Sequence, residues 1–299
     1  MITILGGSGF IGKHLEKDLK LNDHVDNVSL RDLANLSKIQ DSSVVINLVG
    51  KAHDHNNEAT ERDYYYANYE LVKEIYAAFI KSEAALFIHV SSIAALEEEG
   101  SSNALTEDVT PNPQSWYGKS KRAGEEWLLK QEIPENKKII ILRPPMVHGP
   151  GDKGNLGLLY KLISKGIPYP LASFDNQRSF ISIDNFIFFI NEIIKGQNKI
   201  ASGIYHISDD TSISTNSIIN IIKKVENKNI PNVNLPKGLV KLIAKVGDVL
   251  PLPLNTIRLK KMTSNLVLSN KKIKTALNII KLPLSAEEGL IKTIQSFKN

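Results

Sequence analysis

Tyr117 and Lys121 stand one helical turn apart, so on a helix both side chains leave the same face about 6 Å from each other. A free phenol ionises only at about pH 10 and is no base at neutrality. A fixed ammonium beside it favours the phenolate, which is what a tyrosine general acid–base requires. The same spacing also arises on the exposed face of any amphipathic helix, so the pair needs company. Ser92 supplies it, closing an apolar run 25 residues before Tyr117, where its hydroxyl can donate to a substrate oxygen. Gly6, Gly9 and Gly12 add a second kind of site. Gly6 permits a tight turn, Gly9 lets the backbone approach a pyrophosphate, and Gly12 lets helix and strand pack closely, with phosphate at the helix N-terminus. A glycine-rich turn without a ligand is the plain alternative for these three.

These residues need strands that end beside one another and helices that start there. Apolar runs at 2–5, 25–30, 44–49, 85–90 and 139–142 have the length and content of buried parallel strands. Helical spacing at 13–19, 64–81 and 116–129 alternates with them, and 97–113 reads as an acidic, proline-bearing surface loop. Alternation through about residue 145 predicts a doubly wound parallel α/β sheet over 1–145, with sheet returns near 180–208. The rest, 146–299, has shorter segments and predicts a smaller, interleaved C-terminal substrate lobe. It holds helices at 156–165, 239–250 and 285–297 and a late strand at 203–207. In 239–250 the apolar residues 239, 242, 243, 246 and 250 share one face, with Lys241 and Lys245 on the other. Such a helix can lie on a membrane, but its length and place predict that this face packs into the lobe.

The totals fit a soluble enzyme. The 299 residues are 42% hydrophobic and 23% charged, with no cysteine, so disulfide and thiolate chemistry are excluded. A net charge of +5, spread along the chain, suits anionic small molecules rather than nucleic acid. No signal peptide is expected, and the apolar stretch 186–194 is too short to span a bilayer, so the expected compartment is the cytoplasm. His53-Asp54-His55 lacks further ligands at metal-site spacing and reads as a solvated loop; no metal is expected. His89 reads as a buried, hydrogen-bonded core histidine, while His148 follows a Pro-Pro strand end and could approach the site.

Taken as an ordered set, Gly6/Gly9/Gly12, Ser92, Tyr117/Lys121, the run 143–151 (RPPMVHGPG) and the run 178–185 (RSFISIDN) resemble the extended short-chain dehydrogenase/reductases. More narrowly they resemble the nucleotide-sugar epimerase/dehydratase family, and within it the capsule and O-antigen 4-reductases of UDP-4-keto-6-deoxy-N-acetylhexosamines. The resemblance implies a Rossmann fold binding NADP or NAD, a UDP-sugar substrate and a homodimer. It also implies surface polysaccharide precursor synthesis by hydride transfer at C4 of a UDP-hexosamine. In it Tyr117 exchanges the proton at the sugar oxygen, Lys121 holds the nicotinamide ribose and tunes Tyr117, and Ser92 orients the reacting oxygen. Gly6, Gly9, Phe10, Ile11, Gly12, Leu48 and Pro144, with Pro145 alongside, would line the cofactor. Asn155, Arg178 and Arg258 would grip the substrate diphosphate, a role that suits a guanidinium. Arg31 and Asp32 are adjacent where the 2′-position of the adenosine ribose is read, with a slight lean to NADP through Arg31. Ser92-Ile93-Ala94 stands where dehydratases of this family carry Thr-Asp-Glu, so loss of a C6 hydroxyl as water is not expected. A 4-epimerase with retained NAD uses the same residues, and a non-catalytic NAD(P) sensor or scaffold would have no need of all three. The helices at 64–81 and 116–129 carry Tyr65, Tyr69, Tyr76 and Trp127 beyond one apolar stripe, as a dimer interface would need.

Overall fold

The computed structural model describes all residues except 53–57, 153, 167, 168, 170–172, 229, 232, 234, 251–254 and 299, and the side chains of 257, 258 and 261. His53-Asp54-His55 and the side chain of Arg258 therefore lie outside the described residues.

Short runs of apolar residues, buried on both faces, build a six-stranded parallel sheet. Its strands are β1 (Ile2–Leu5), β2 (Val25–Val28), β3 (Val44–Asn47), β4 (Leu86–Val90), β5 (Lys138–Arg143) and β8 (Gly203–His206). The order across the sheet is β2-β1-β3-β4-β5-β8, every pair parallel. A separate parallel pair joins β6 (Met146–His148) to β7 (Phe180–Ser182).

Helices cover both faces, the arrangement that parallel strands require. On one side α1 (Phe10–Leu19) and α6 (Ile183–Lys195) bury Leu15, Leu19, Phe186, Phe189, Ile190 and Ile193 against the sheet. The stretch 186–194, too short to span a bilayer, is thus the body of α6. On the other side lie α2 (Glu61–Tyr65), a π-helical turn (Tyr66–Glu70), α3 (Leu71–Lys81) and α4 (Trp116–Leu129). A separate core is built from α5 (Asn155–Ser164), α7 (Thr215–Glu226), α8 (Lys237–Gly247), α9 (Thr256–Thr263) and α11 (Ala286–Ser296). The helix α10 (Lys271–Leu277) returns to the main core through Ile273.

Two departures matter, one from the ordinary pattern of such sheets and one from the sequence reading. A doubly wound sheet ordinarily runs 3-2-1-4-5-6; here the outermost strand is left out, so β2 is an edge. The crossover from β2 to β3 is only a 3₁₀ helix, Leu33–Ile39. The second departure is α8, where Val240 and Ala244 are the buried residues. The face predicted to pack, Leu239, Leu242, Ile243, Val246 and Leu250, is the exposed one. A helix with apolar residues around much of its circumference does not disclose which strip docks.

Candidate active site

The strand β4 is buried along its whole length and delivers Ser91 and Ser92 at its carboxyl end. Ser92 caps the 3₁₀ turn Ile93–Ala95, its Oγ accepting from the Ala94 N–H at 3.2 Å. Ile93 N–H donates to the Pro144 carbonyl at 3.0 Å, which binds this turn to the end of β5. The helix α4 then approaches very closely, because a Cβ on Gly118 would stand 2.4 Å from the Ala94 carbonyl oxygen. Glu98 fixes the start of that helix, accepting from Ser115 Oγ at 2.6 Å and from the backbone N–H groups of Gln114 and Ser115. The result is that the Ser92 hydroxyl stands by the Tyr117 phenol, close enough to favour its ionised form.

Lys121, one turn on, is buried, and its Nζ donates to the Val90 carbonyl at 3.1 Å. Room for it comes from Gly50, where a Cβ would lie 2.7 Å from both Lys121 Nζ and Asn68 Oδ1. Asn68 is a residue that sequence reasoning missed. It is fully buried in the π-helical turn, donates to Ser120 Oγ at 2.9 Å and to the Lys51 carbonyl at 3.0 Å, and accepts from the Lys51 N–H at 3.0 Å. Ser120 in turn donates to the Tyr117 carbonyl at 3.0 Å. The available signal was an asparagine, a poor helix former, inside a helical run beside aromatics.

The electrostatics differ from expectation at one point. Burial pushes the Tyr117 phenol above its usual range; the Ser92 hydroxyl pulls it back, while Glu98 and Tyr64 push it further up. Lys121 is not among the groups that set it, since its ammonium is turned to the Val90 carbonyl. Burial brings Lys121 itself down to about 8, with Glu125 opposing. A phenol held protonated at neutrality is a proton donor first.

The first βα turn fits a dinucleotide diphosphate. Gly6 has φ +87°, Gly9 caps α1 in extended backbone with no side-chain cap, and the first turn carries no acidic residue. A Cβ on Gly12 would fall 2.4 Å from Gly7 Cα, so α1 crosses the turn at a distance only glycine allows. The opening α1 N–H groups and the helix dipole there suit an anion. Phe10, Ile11 and Leu48 are half-buried around this turn, and Pro144 is buried. Arg31 and Asp32 both reach solvent beyond β2; Asp32 Oδ1 is engaged as a helix cap, accepting from Ala34 N–H at 2.9 Å.

The remaining residues lie in the second lobe. Asn155 is exposed at the first position of α5, and Arg178 donates to the Ser264 carbonyl and hydroxyl, each at 3.3 Å. His89 is buried and paired with Asn47 at 3.0 Å. His148 is buried under α11, paired with Thr293 Oγ1 at 2.9 Å. Tyr76 and Trp127 pack edge-on at 5.2 Å within one chain, which accounts for part of the aromatic surplus on those helices. Among the described residues no group of three His, Cys, Asp or Glu side chains could hold a metal ion.

The model of the NAD dependent epimerase/dehydratase family matches residues 2–208. The chain belongs to that family. It is therefore an NAD(P)-dependent enzyme, with the parallel sheet and flanking helices of its relatives. A UDP-glucose 4-epimerase of Vibrio cholerae is 26% identical over 99% of this chain and 95% of its own. An N-acetyl-alpha-D-glucosaminyl-diphospho-ditrans,octacis-undecaprenol 4-epimerase of Escherichia coli O157:H7 is 23% identical over 98% and 94%. Among solved structures, the UDP-glucuronic acid 4-epimerase of Bacillus cereus in complex with NAD superposes with a TM-score of 0.78. It is 21% identical and covers 99% of this chain and 98% of that one. RMD of Pseudomonas aeruginosa complexed with NADPH gives 0.75 at 16% identity, with full coverage of both chains. No helix among the described residues is long and apolar enough to cross a membrane.

Proposed function

We propose that the protein reduces a 4-keto sugar carried on UDP, a UDP-hexosamine of surface polysaccharide synthesis. The observation that carries this reading is the shortened adenosine half. With β2 at the sheet edge and only a 3₁₀ helix leading to β3, little chain wraps the adenosine of the cofactor. A loose grip suits a reductase, which releases oxidised cofactor after each turnover. The raised Tyr117 phenol supports the same direction, because ketone reduction needs a proton delivered to the carbonyl oxygen.

When bound, the nicotinamide supplies the hydride. The chain's own residues do the rest. The Tyr117 hydroxyl gives its proton to the C4 oxygen, and Ser92 donates a hydrogen bond that orients that oxygen. Lys121 would hold the cofactor ribose with its ammonium, from a position fixed by the Val90 carbonyl. In the second lobe Asn155, Arg178 and Arg258 meet the substrate diphosphate, and the domain division stands at about residue 145.

The second reading is a 4-epimerase with retained NAD, favoured by the full-length likeness to 4-epimerases. A homodimer through α2–α3 and α4 accompanies either reading, and a monomeric mass at micromolar concentration counts against it. One experiment separates the reactions. A UDP-4-keto-6-deoxy-N-acetylhexosamine is offered with NADPH or NADH, and UDP-glucose or UDP-N-acetylglucosamine is offered with no added cofactor. Stoichiometric loss of reduced cofactor in the first mixture alone supports reduction. Interconversion of C4 epimers in the second, with cofactor bound to the protein as isolated, replaces it with epimerisation.

A further inference from the structure

The strongest unassigned surface is the outer side of α8. Val240 and Ala244 alone anchor this helix in the second-lobe core. One flank of that anchored strip presents Leu239, Leu242, Ile243, Val246 and Leu250 to solvent, Leu242 at 60% exposure, and Val249 follows at 86%. At 3.6 residues per turn these side chains form one continuous band. The other flank carries Lys237, Lys241 and Lys245, which make no ion pair with described residues. Asp248, the single acid within 237–250, is occupied by the Thr256 N–H and hydroxyl at 2.9 Å. Lys241 and Lys245 also border an apolar cleft floored by Phe174 and Leu259.

We propose that this face of α8 seats the protein reversibly on the anionic surface of a lipid bilayer. An apolar band beside a row of unpaired lysines on one short helix matches what an interfacial helix presents to headgroups and upper acyl chains. Charge argues against a second copy of the chain as occupant. A twofold contact would bring this lysine row to its own copy with no free acid on the face to meet it. The seat lies in the lobe that holds Arg178, since Ser264, which accepts from Arg178, directly follows α9, and α9 packs on α8. The proposal goes beyond the reaction and does not depend on which C4 chemistry is performed.

The test floats the full chain with vesicles of phosphatidylcholine alone or with phosphatidylglycerol added. Binding is expected to the anionic vesicles and to weaken with salt. Leu242→Glu/Val246→Glu and Lys241→Glu/Lys245→Glu each weaken it by about tenfold or more, with reduced-nicotinamide binding unchanged as the check on folding. Failure of the wild-type chain to float with anionic vesicles overturns the proposal, as does undiminished binding by both variants. A wild-type oligomer that Leu242→Glu/Val246→Glu dissociates in the absence of lipid also overturns it, assigning the face to a second copy.

Discussion

Glu125 and Arg143 form a two-pronged ion pair inside the protein, Nε to Oε1 at 2.8 Å and Nη2 to Oε2 at 2.6 Å, with both side chains at most 1% exposed. The pair joins α4 to β5 one helical turn beyond Lys121, so it fixes the helix that carries Tyr117 and Lys121 against the strand that leads into Pro144. Its geometry is bidentate, but both charges are desolvated, so its worth shows chiefly when one partner is lost. Glu125→Ala, which leaves the buried Arg143 guanidinium without this counter-charge, is expected to cost about 3–5 kcal/mol. Urea unfolding measures it. The double replacement Glu125→Leu/Arg143→Met should recover most of that loss; a single variant within 1 kcal/mol of wild type would show that the charges are already relaxed.

Tyr117→Phe removes a hydroxyl from a half-buried ring without leaving a charge behind. Turnover is expected to fall by about 10²–10⁴-fold with cofactor binding retained. Because the phenol is raised, the reduction direction runs with the group already protonated at neutral pH. The reverse, alcohol-oxidising direction needs the phenolate and should speed up as pH rises above neutrality. Turnover in both directions measured across pH checks the assignment, and a Phe variant as fast as wild type removes Tyr117 from the chemistry.

How much of this was legible beforehand follows from where the information resides. The strands were readable because a parallel strand buried on both faces is an unbroken apolar run, as Val44 to Ile46 and Ile139 to Leu142 are. The start of α4 at Trp116 was readable from local spacing. Ser92 and Tyr117 could be named, but their approach depends on Gly118 meeting the Ala94 carbonyl, a contact between distant segments. The π-helical turn around Asn68 was not readable, because it is held by Ser120 and Lys51 rather than by propensity. The expectation that Lys121 lowers the Tyr117 pKa treated helical proximity as contact. The ammonium instead finds the Val90 carbonyl, a direction that only tertiary packing decides.

That packing makes Gly50 a sensitive position. Its φ is not left-handed, so the demand for glycine there is spatial: a methyl group would overlap Lys121 Nζ and Asn68 Oδ1. Gly50→Ala is expected to displace the lysine from Val90 and to lower turnover by about tenfold or more, the scale set by small misplacements at a reacting centre. Thermal unfolding should shift by only a few degrees, as expected for about 1 kcal/mol. Unchanged turnover would mean that Lys121 can move without consequence.

His206 ties stability to pH. It is buried at the end of β8, with burial as the main cause, the Arg143 charge second and Lys272 adding to them; together they bring its pKa down to about 3, against the Leu105 carbonyl, which opposes. The unfolded chain takes up a proton at about pH 6.5, while the folded chain stays neutral there until about pH 3. The folded state therefore loses stability as pH falls through that window, by about 2–3 kcal/mol between pH 6.5 and 4.5 at 1.36 kcal/mol per unit. Asp209, raised to about 6, acts in the opposite sense between about 6 and 3.8, so the comparison must be with a variant. Urea unfolding of His206→Asn across pH 4.5–7 should show a slope shallower by close to one proton. Parallel slopes would assign the acid sensitivity to other groups.

Cofactor choice is expected to rest on Arg31 and Asp32. Both reach solvent beyond the edge strand, where the 2′-position of an adenosine ribose is read. They are not equally available. Asp32 is engaged through Oδ1 as the cap of the 3₁₀ helix, and that bond is worth about 1 kcal/mol to the helix it starts. Turning its carboxylate toward a free 2′-hydroxyl would give up that bond, whereas the exposed Arg31 guanidinium can meet a 2′-phosphate at no such cost. NADPH is therefore expected to bind more tightly than NADH. Arg31→Ala should weaken NADPH by about 1.5–3 kcal/mol, the range for hydrogen bonds to charged groups, and leave NADH nearly unchanged. Asp32→Ala should instead reduce stability by about the worth of a cap, and by removing a negative charge near the phosphate should not weaken NADPH. Titration of nicotinamide fluorescence in the three proteins decides among these. A wild-type preference for NADH that Asp32→Ala abolishes would transfer the reading of the ribose from Arg31 to Asp32.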